Sequence, residues 1–372
     1  MAEFELDGSI RSWQEDLVMA EECRVIDSFG DYLFCTSSFT LFCYHVDIAN
    51  GNVTAISNVP ILGSNSQPIA IDINSDGTRL YCLQTLINEE ADNQLVITVF
   101  DISDIDNLVR LSATTRLLTG TGVDILSTGT HLYVTYGYST IGYGYRGLTL
   151  CYELDGNGEP GVPTVSFTQS LILRNLQIYQ GHFTTSWINT DAVFVYDIAT
   201  DPLAPVQVST ASQRLGSDDK AMLISDTGFI YVCDEDHGMS VYDATNVLAI
   251  TDEGQIEEPV GITAVVKNDF VIGIDVGTYK FFDIAAPADP ILGNVYTSIG
   301  TDNILHATMV DTYLISPTMN NPKMRVVELG SNRPGHYIVT DGIVTDEVWC
   351  DSVQMEKVFI NNVLAYERSN HV

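Results

Sequence analysis

Apolar and polar positions along the chain fall into short β-prone runs separated by turns, with no helical periodicity between them. One pattern recurs from end to end. Two apolar or aromatic residues precede an acidic residue, and a turn rich in Asp, Pro, Asn and Gly follows, as in Val195-Tyr196-Asp197-Ile198-Ala199-Thr200-Asp201-Pro202. Counterparts end at Asp47, Asp101, Glu153, Asp243, Asp283, Glu328 and Glu367, which makes eight copies. Their mean spacing is about 46 residues, in the range of propeller blades rather than of helical repeats.

Each repeat resolves into four short strands, labelled a to d from the inside out. Strands a and b flank a turn with Gly or Asp at its centre, as in Asp76-Gly77-Thr78-Arg79-Leu80-Tyr81-Cys82 and Thr227-Gly228-Phe229-Ile230-Tyr231-Val232-Cys233. Such residues suit hairpins, whose central positions often take positive φ. Strand c is the acidic-ended run, and its turn leads into d. Near-continuous apolar runs such as Ala221-Met222-Leu223-Ile224 read as inner strands packed between neighbouring units. Antiparallel four-stranded units at this period predict an all-β fold, a single eight-bladed β-propeller spanning 1–372, with seven blades as the alternative. The last copy, from about Val344 to Arg368, runs out of chain before strand d. Phe4, Leu6, Ile10 and Trp13 can supply a β segment, so the N-terminal residues 1–13 are expected to close the last blade and remove the open edge.

The segments Asp197 to Val206, Ile230 to Asp243 and Phe282 to Pro290 resemble the LVIVD-type repeat of bacterial and archaeal propellers, in which a "YV…G" strand leads into an "I-D-x-S-D-P-x-x-P" strand and turn. The resemblance covers most of the chain, best in the second, fourth, fifth and sixth copies. It implies a propeller and says little about activity.

Composition narrows the partners. Hydrophobic residues make up 45% of the chain and charged residues 17%, enough apolar material for a core and too little charge for disorder. No apolar run reaches membrane-spanning length, and the acidic start Met1-Ala2-Glu3-Phe4-Glu5-Leu6-Asp7 has no secretory apolar region, so a cytoplasmic or virion location is expected. A formal net charge of −33 repels phosphate backbones and argues against nucleic acid. The seven cysteines are odd in number and lack a CxxC pair, so they read as reduced core thiols, although Cys35 and Cys43 flank one tight turn and could face each other across a hairpin.

Chemistry is sparse. Asp72-Ile73-Asn74-Ser75-Asp76-Gly77 matches the opening of a calcium loop, but Leu83 stands where the bidentate Glu would be, and a hairpin turn is the simpler reading. The histidines lack metal-site spacing, and nothing marks an activated nucleophile, so no catalytic residue, metal or cofactor is assigned. Asp72, Asn175, Gln177 and His306 lie on or beside inner strands and could point into a central channel. The most unusual stretch is Tyr133 to Gly147, in which Tyr alternates with Gly, Ser and Thr as in binding paratopes. It falls on a b–c connection, on the same end as Asp234-Glu235-Asp236-His237. Tyr136, Tyr138, Tyr143, Tyr145, Arg146, Asp234, Asp236 and His237 are therefore the candidate partner-binding residues. The expected function is non-catalytic protein binding, in a setting such as a virus particle or other large assembly. A cytoplasmic adaptor and a channel-metal, lactonase-like hydrolase are the alternatives.

Overall fold

The computed structural model describes residues 6–331 apart from 14–16, 20, 50, 62–65, 87–93, 118–120, 141–143, 170–171, 188–189, 214–218, 235–236, 262, 276–277, 298–303, 305 and 319–321, and then 357–360 and 363–367. Among the described residues seven antiparallel sheets form blades, and in six of them the four strands run in chain order from inside to outside. Blades 1 to 6 occupy 25–60, 66–117, 121–169, 173–213, 219–256 and 263–297. Blade 7 combines Thr308–Val310, Tyr313–Pro317 and Lys323–Ser331 with the N-terminal strand Leu6–Trp13. Strand Leu17–Val18 also pairs with Lys323–Ser331. The inner strand of blade 7 returns beside that of blade 1, Val25–Phe29, which closes the ring.

The expected fold class is thus corrected from eight blades to the alternative of seven. The closing strand pairs where the seventh copy ends, with Ser12 opposite Glu328 and Trp13 opposite Val327. The eighth copy, ending at Glu367, forms a two-stranded sheet of Lys357–Ile360 and Val363–Glu367. A strand pattern records only local alternation, and an isolated hairpin satisfies it as well as a blade does. Packing divides the chain into two compact units, Met1–Asn332 and Arg333–Val372, where the sequence reading takes 1–372 as one domain.

The core lies between blades. Leu80, Cys82 and Phe100 of blade 2 pack on Phe34, Leu41 and Cys43 of blade 1. At the closing seam, Leu33, Cys35, Phe42 and Tyr44 of blade 1 meet Val310, Tyr313, Ile315 and Met324 of blade 7. Cys35 and Cys43 therefore serve opposite faces of one sheet, and the register sets them against Phe42 and Phe34 rather than against each other.

The recurring acidic residue is a turn cap. Asp47, Asp101, Asp197, Asp243 and Asp283 each accept the backbone N–H two residues on, at 2.8–3.0 Å. The calcium-like stretch is a hairpin turn: Asn74 Oδ1 accepts from Thr78 N and Arg79 N, Asp76 Oδ1 also accepts from Thr78 N, and Gly77 takes φ 68° under the ring of Phe29.

Leu6 is buried with Leu329, Val327 and Ile272 between blades 6 and 7. Removing residues 1–13 should therefore strip both the outer pairing and part of a blade interface, at about 1.5–3 kcal/mol for each large apolar side chain lost. Thermal denaturation followed by circular dichroism should show a large fall in melting temperature or loss of the cooperative transition.

Candidate functional site

The inner strands of neighbouring blades are tied by side chains reaching across the ring. Asp72 Oδ2 in blade 2 accepts from Ser127 N in blade 3 at 2.7 Å, and Asp124 Oδ2 in blade 3 accepts from Leu176 N in blade 4 at 2.8 Å. Gln177 Nε2 in blade 4 donates to Met222 O in blade 5 at 2.7 Å. At the seam, Ser28 Oγ donates to Met309 O at 3.1 Å and lies 2.9 Å from Thr308 Oγ1.

Around these ties lies a cavity of about 440 Å³, walled by Val25, Ile26, Ile69, Ala70, Ile71 and Val123 and carrying the polar groups of Asp27, Asp124, Arg174, Asn175 and His306. It is lined from the first half of the inner strands of blades 1 and 4 to the middle of those of blades 2 and 3, counted from the end bearing the d–a and b–c connections. A second cavity of about 250 Å³ shares Val25, Ile69 and His306 and is lined further toward that end by Glu22, Arg24, Gln67 and Pro317.

Burial dominates the electrostatics here. It pushes Asp27 up to about 6 against the single opposing hydrogen bond from Ser28 N. Asp124 is also raised to about 6, although the N–H groups of Leu176, Ile125 and Asn175 and the Arg174 guanidinium pull the other way. Asp72 is pushed well above the carboxylate range by burial, and the charges of Asp27 and Asp124 add to the shift. Burial lowers His306 to about 4, so its imidazole is neutral near pH 7. Asn175 sits at φ 55° and donates to Ser186 Oγ at 2.9 Å. Among the described residues, no three His, Cys, Asp or Glu side chains come together as a metal-ligand set.

Of the inner-strand residues expected to point inward, Asn175 and His306 line the cavity, while Asp72 and Gln177 brace adjacent blades. Asp27, Asp124 and Arg174 were not anticipated. The signal for the two carboxylates was an aliphatic residue followed by Asp on three successive inner strands, Ile26-Asp27, Ile71-Asp72 and Val123-Asp124; Arg174 had none.

The Tyr-rich stretch is a long hairpin. Strands His131–Thr140 and Gly144–Glu153 pair throughout, with Tyr138 opposite Arg146 and Ser139 opposite Tyr145. Tyr143 lies outside the described residues. Tyr136 is a core residue, buried between blades 2 and 3 with Ala70, Leu83, Leu95 and Val134, and presents no contact surface. On the corresponding turn of blade 5, Asp234 is buried and its Oδ1 accepts from His237 N at 2.8 Å, with His237 Nδ1 at 2.9 Å. Asp234 thus shapes the turn, the His237 ring stays half exposed, and Asp236 lies outside the described residues.

No family model matches the chain, and no curated protein matches it in sequence. Solved structures do match in fold. The β-propeller domain of Cps50 (Swd1) from Myceliophteria thermophila is similar at a TM-score of 0.59 and 9% identity, over 87% of this chain and 99% of that one. Sqt1 from Saccharomyces cerevisiae is similar at 0.57 and 9%, over 86% and 98%. A Bacteroides uniformis protein provisionally assigned as a 6-phosphogluconolactonase is similar at 0.60 and 10%, over 79% and 91%. At these identities the likeness is one of fold alone.

The raised Asp27 gives a signed pH dependence. With about 6 in the folded chain against 3.8 unfolded, the native state holds the proton longer. Its stabilising effect is full below about pH 4 and is lost as pH rises through 6, at about 1.4 kcal/mol per unit. Asp101 and Asp197, lowered by hydrogen bonds from Ser103 and Thr200, act in the opposite sense in both proteins compared. Asp27→Asn should therefore gain stability relative to wild type between pH 4 and 7, by up to about 3 kcal/mol. Urea denaturation across that range checks it.

Proposed function

We propose that the chain is a non-catalytic β-propeller that binds a protein partner through the end bearing the blade 3 hairpin and the channel mouth. The observation that carries this reading is the length of that hairpin. Strand b of blade 3 starts at His131 opposite Glu153, and strand b of blade 5 starts at Phe229 opposite Asp243, equivalent positions of the repeat. From these bases the strands run ten residues to Thr140 but only six to Asp234. Four extra residues at about 3.3 Å each carry the blade 3 hairpin roughly 13 Å further along the ring axis. The opposite end is taken up by the repeated Asp-capped turns, and departures from a repetitive frame are where binding function is usually grafted.

Tyr138, Tyr143, Tyr145 and Arg146 are the proposed contacts on this hairpin, with His237 on the same end. A formal charge of −33 favours a partner whose facing surface is basic, since complementary charge speeds encounter. The abundance of Thr, Ser, Asn and Gly with few Lys is compatible with a component of a virus particle or similar assembly, and a cytoplasmic adaptor is the other setting. Sedimentation of cell extracts separates them, because an assembly component travels with large particles. A lactonase-like hydrolase is favoured by one observation, the ionisable cavity in a fold shared with the Bacteroides protein. Metal-dependent lactone hydrolysis by the purified chain would support that reading instead.

Shortening the hairpin to the blade 5 length tests the main reading. The variant should keep its cooperative melt yet lose the partners that cross-link to wild type in the producing cells, each anchoring Tyr accounting for about 1 to 3 kcal/mol. Capture of the same partners by both proteins would place the contact elsewhere.

A further inference from the structure

The cavity inside the ring contains an anion and a neutral base that the fold leaves open. Asp27 Oδ1 accepts from the adjacent Ser28 N at 2.7 Å, and among the described residues no hydrogen bond reaches Oδ2. No cation contributes to the electrostatics of this carboxyl. Asp124, by contrast, is hydrogen-bonded to backbone N–H groups and faces Arg174. His306 lines both cavities, and among the described residues its imidazole makes no hydrogen bond. A half-buried imidazole and a half-buried carboxylate oxygen, both lining the cavity and neither hydrogen-bonded among the described residues, are free to receive donors from a ligand. The charged and titratable groups around this space are Asp27, Asp72, Asp124, Arg174 and His306, with Glu22 and Arg24 at the mouth. Burial holds Asp72 well above the usual carboxylate range and disfavours its charged form, Arg174 offsets Asp124, His306 is neutral near pH 7, and Asp27 carries a negative charge there.

We propose that this cavity binds a small organic cation, a primary alkylamine, whose ammonium group donates to Asp27 and His306 while its alkyl body lies against Val25, Ile69, Ala70 and Ile71. An ammonium group supplies three donors and one positive charge, the complement of a carboxylate oxygen and a neutral imidazole nitrogen. The aliphatic walls suit an apolar body, and a volume of about 440 Å³ falls within the usual range of small-molecule sites. An inorganic divalent ion fits less well, because the carboxylates do not converge into a ligand set among the described residues. The site lies inside the ring, and its residues are not those proposed as contacts on the blade 3 hairpin.

Isothermal titration calorimetry of the full chain with n-butylammonium chloride at pH 7.5 and constant ionic strength tests the proposal, with 1-butanol, sodium butyrate and calcium chloride as comparison ligands. Butylammonium should bind saturably, and the three comparison ligands should not. Asp27→Asn should weaken binding by about tenfold or more, and His306→Leu should weaken it to a smaller extent. At pH 5 wild-type binding should fall as Asp27 takes up its proton, whereas any residual binding by Asp27→Asn should be less sensitive to pH. If Asp27→Asn does not fold, proton release on binding at pH 6, read in buffers of different ionisation enthalpy, replaces it. Equal binding of 1-butanol, unchanged binding in Asp27→Asn and His306→Leu, binding of calcium alone, or no saturable heat with butylammonium would each overturn the proposal.

Discussion

A blade in this ring buries both of its faces, and it can do so only against neighbours on each side. Among the described residues seven apolar clusters lie between the blades, one for each successive pair and one across the seam from blade 7 to blade 1. No blade owns a core, so the stability of every sheet depends on the ring being closed. The chain closes it with strands far apart in sequence, Leu6–Trp13 on Lys323–Ser331, and the seam is reinforced by Ser28 with Thr308 and Met309. That pairing carries the largest loop-closure cost in the ring and is the contact on which the other interfaces rely.

Within that constraint the repeated residues serve the frame. The acidic residue ending strand c satisfies turn amides, and the residue after it donates its N–H to the a–b turn of the same blade, as Ile102 does to Thr78 O and Ala244 to Gly228 O. Tyr81, Tyr133 and Tyr231 occupy one position on strand b, fully buried, and each donates its hydroxyl to a carbonyl of the next blade's c–d turn: Gly158, Pro202 and Pro287, at 3.0, 2.8 and 3.2 Å. These links stitch blade to blade on the outside of the inner strands, as Asp72, Asp124 and Gln177 do within the channel. The proposed binding function is placed on what breaks the repeat, the elongated blade 3 hairpin and the channel.

Much of the frame was legible because alternation, turn chemistry and spacing all report local geometry. Four-stranded units follow from those signals directly, and so does a β segment at the N-terminus, although it closes the seventh blade and not the eighth copy whose missing strand suggested it. Blade number does not, since Ala365-Tyr366-Glu367 matches the strand c pattern while the strand that contains it belongs, among the described residues, to a two-stranded sheet. Tyr136 reads as a contact residue by composition, yet it shares the alternation of Leu132 and Val134, and that period of two is what places it in the core. The channel groups were partly visible: His306 and Asn175 were anticipated, whereas Asp27 and Asp124 required knowing which strands are neighbours around the ring. The recurring aliphatic-Asp pair of the first three inner strands is visible in the chain, but that Asp27 and Asp124 line one cavity follows only from the order of strands around the ring.

Closure as the governing interaction can be measured by native-state hydrogen exchange, following amides of Leu6–Trp13 and of Lys323–Ser331 over increasing denaturant. If the ring stands or falls with that pairing, the hydrogen-bonded amides of both strands exchange with the same free energy and denaturant dependence as those of the inner strands of blades 2 to 6, through global opening. Exchange of the N-terminal strand at low free energy, while the seven sheets keep their protection, would show that the ring holds without it and would contradict this account.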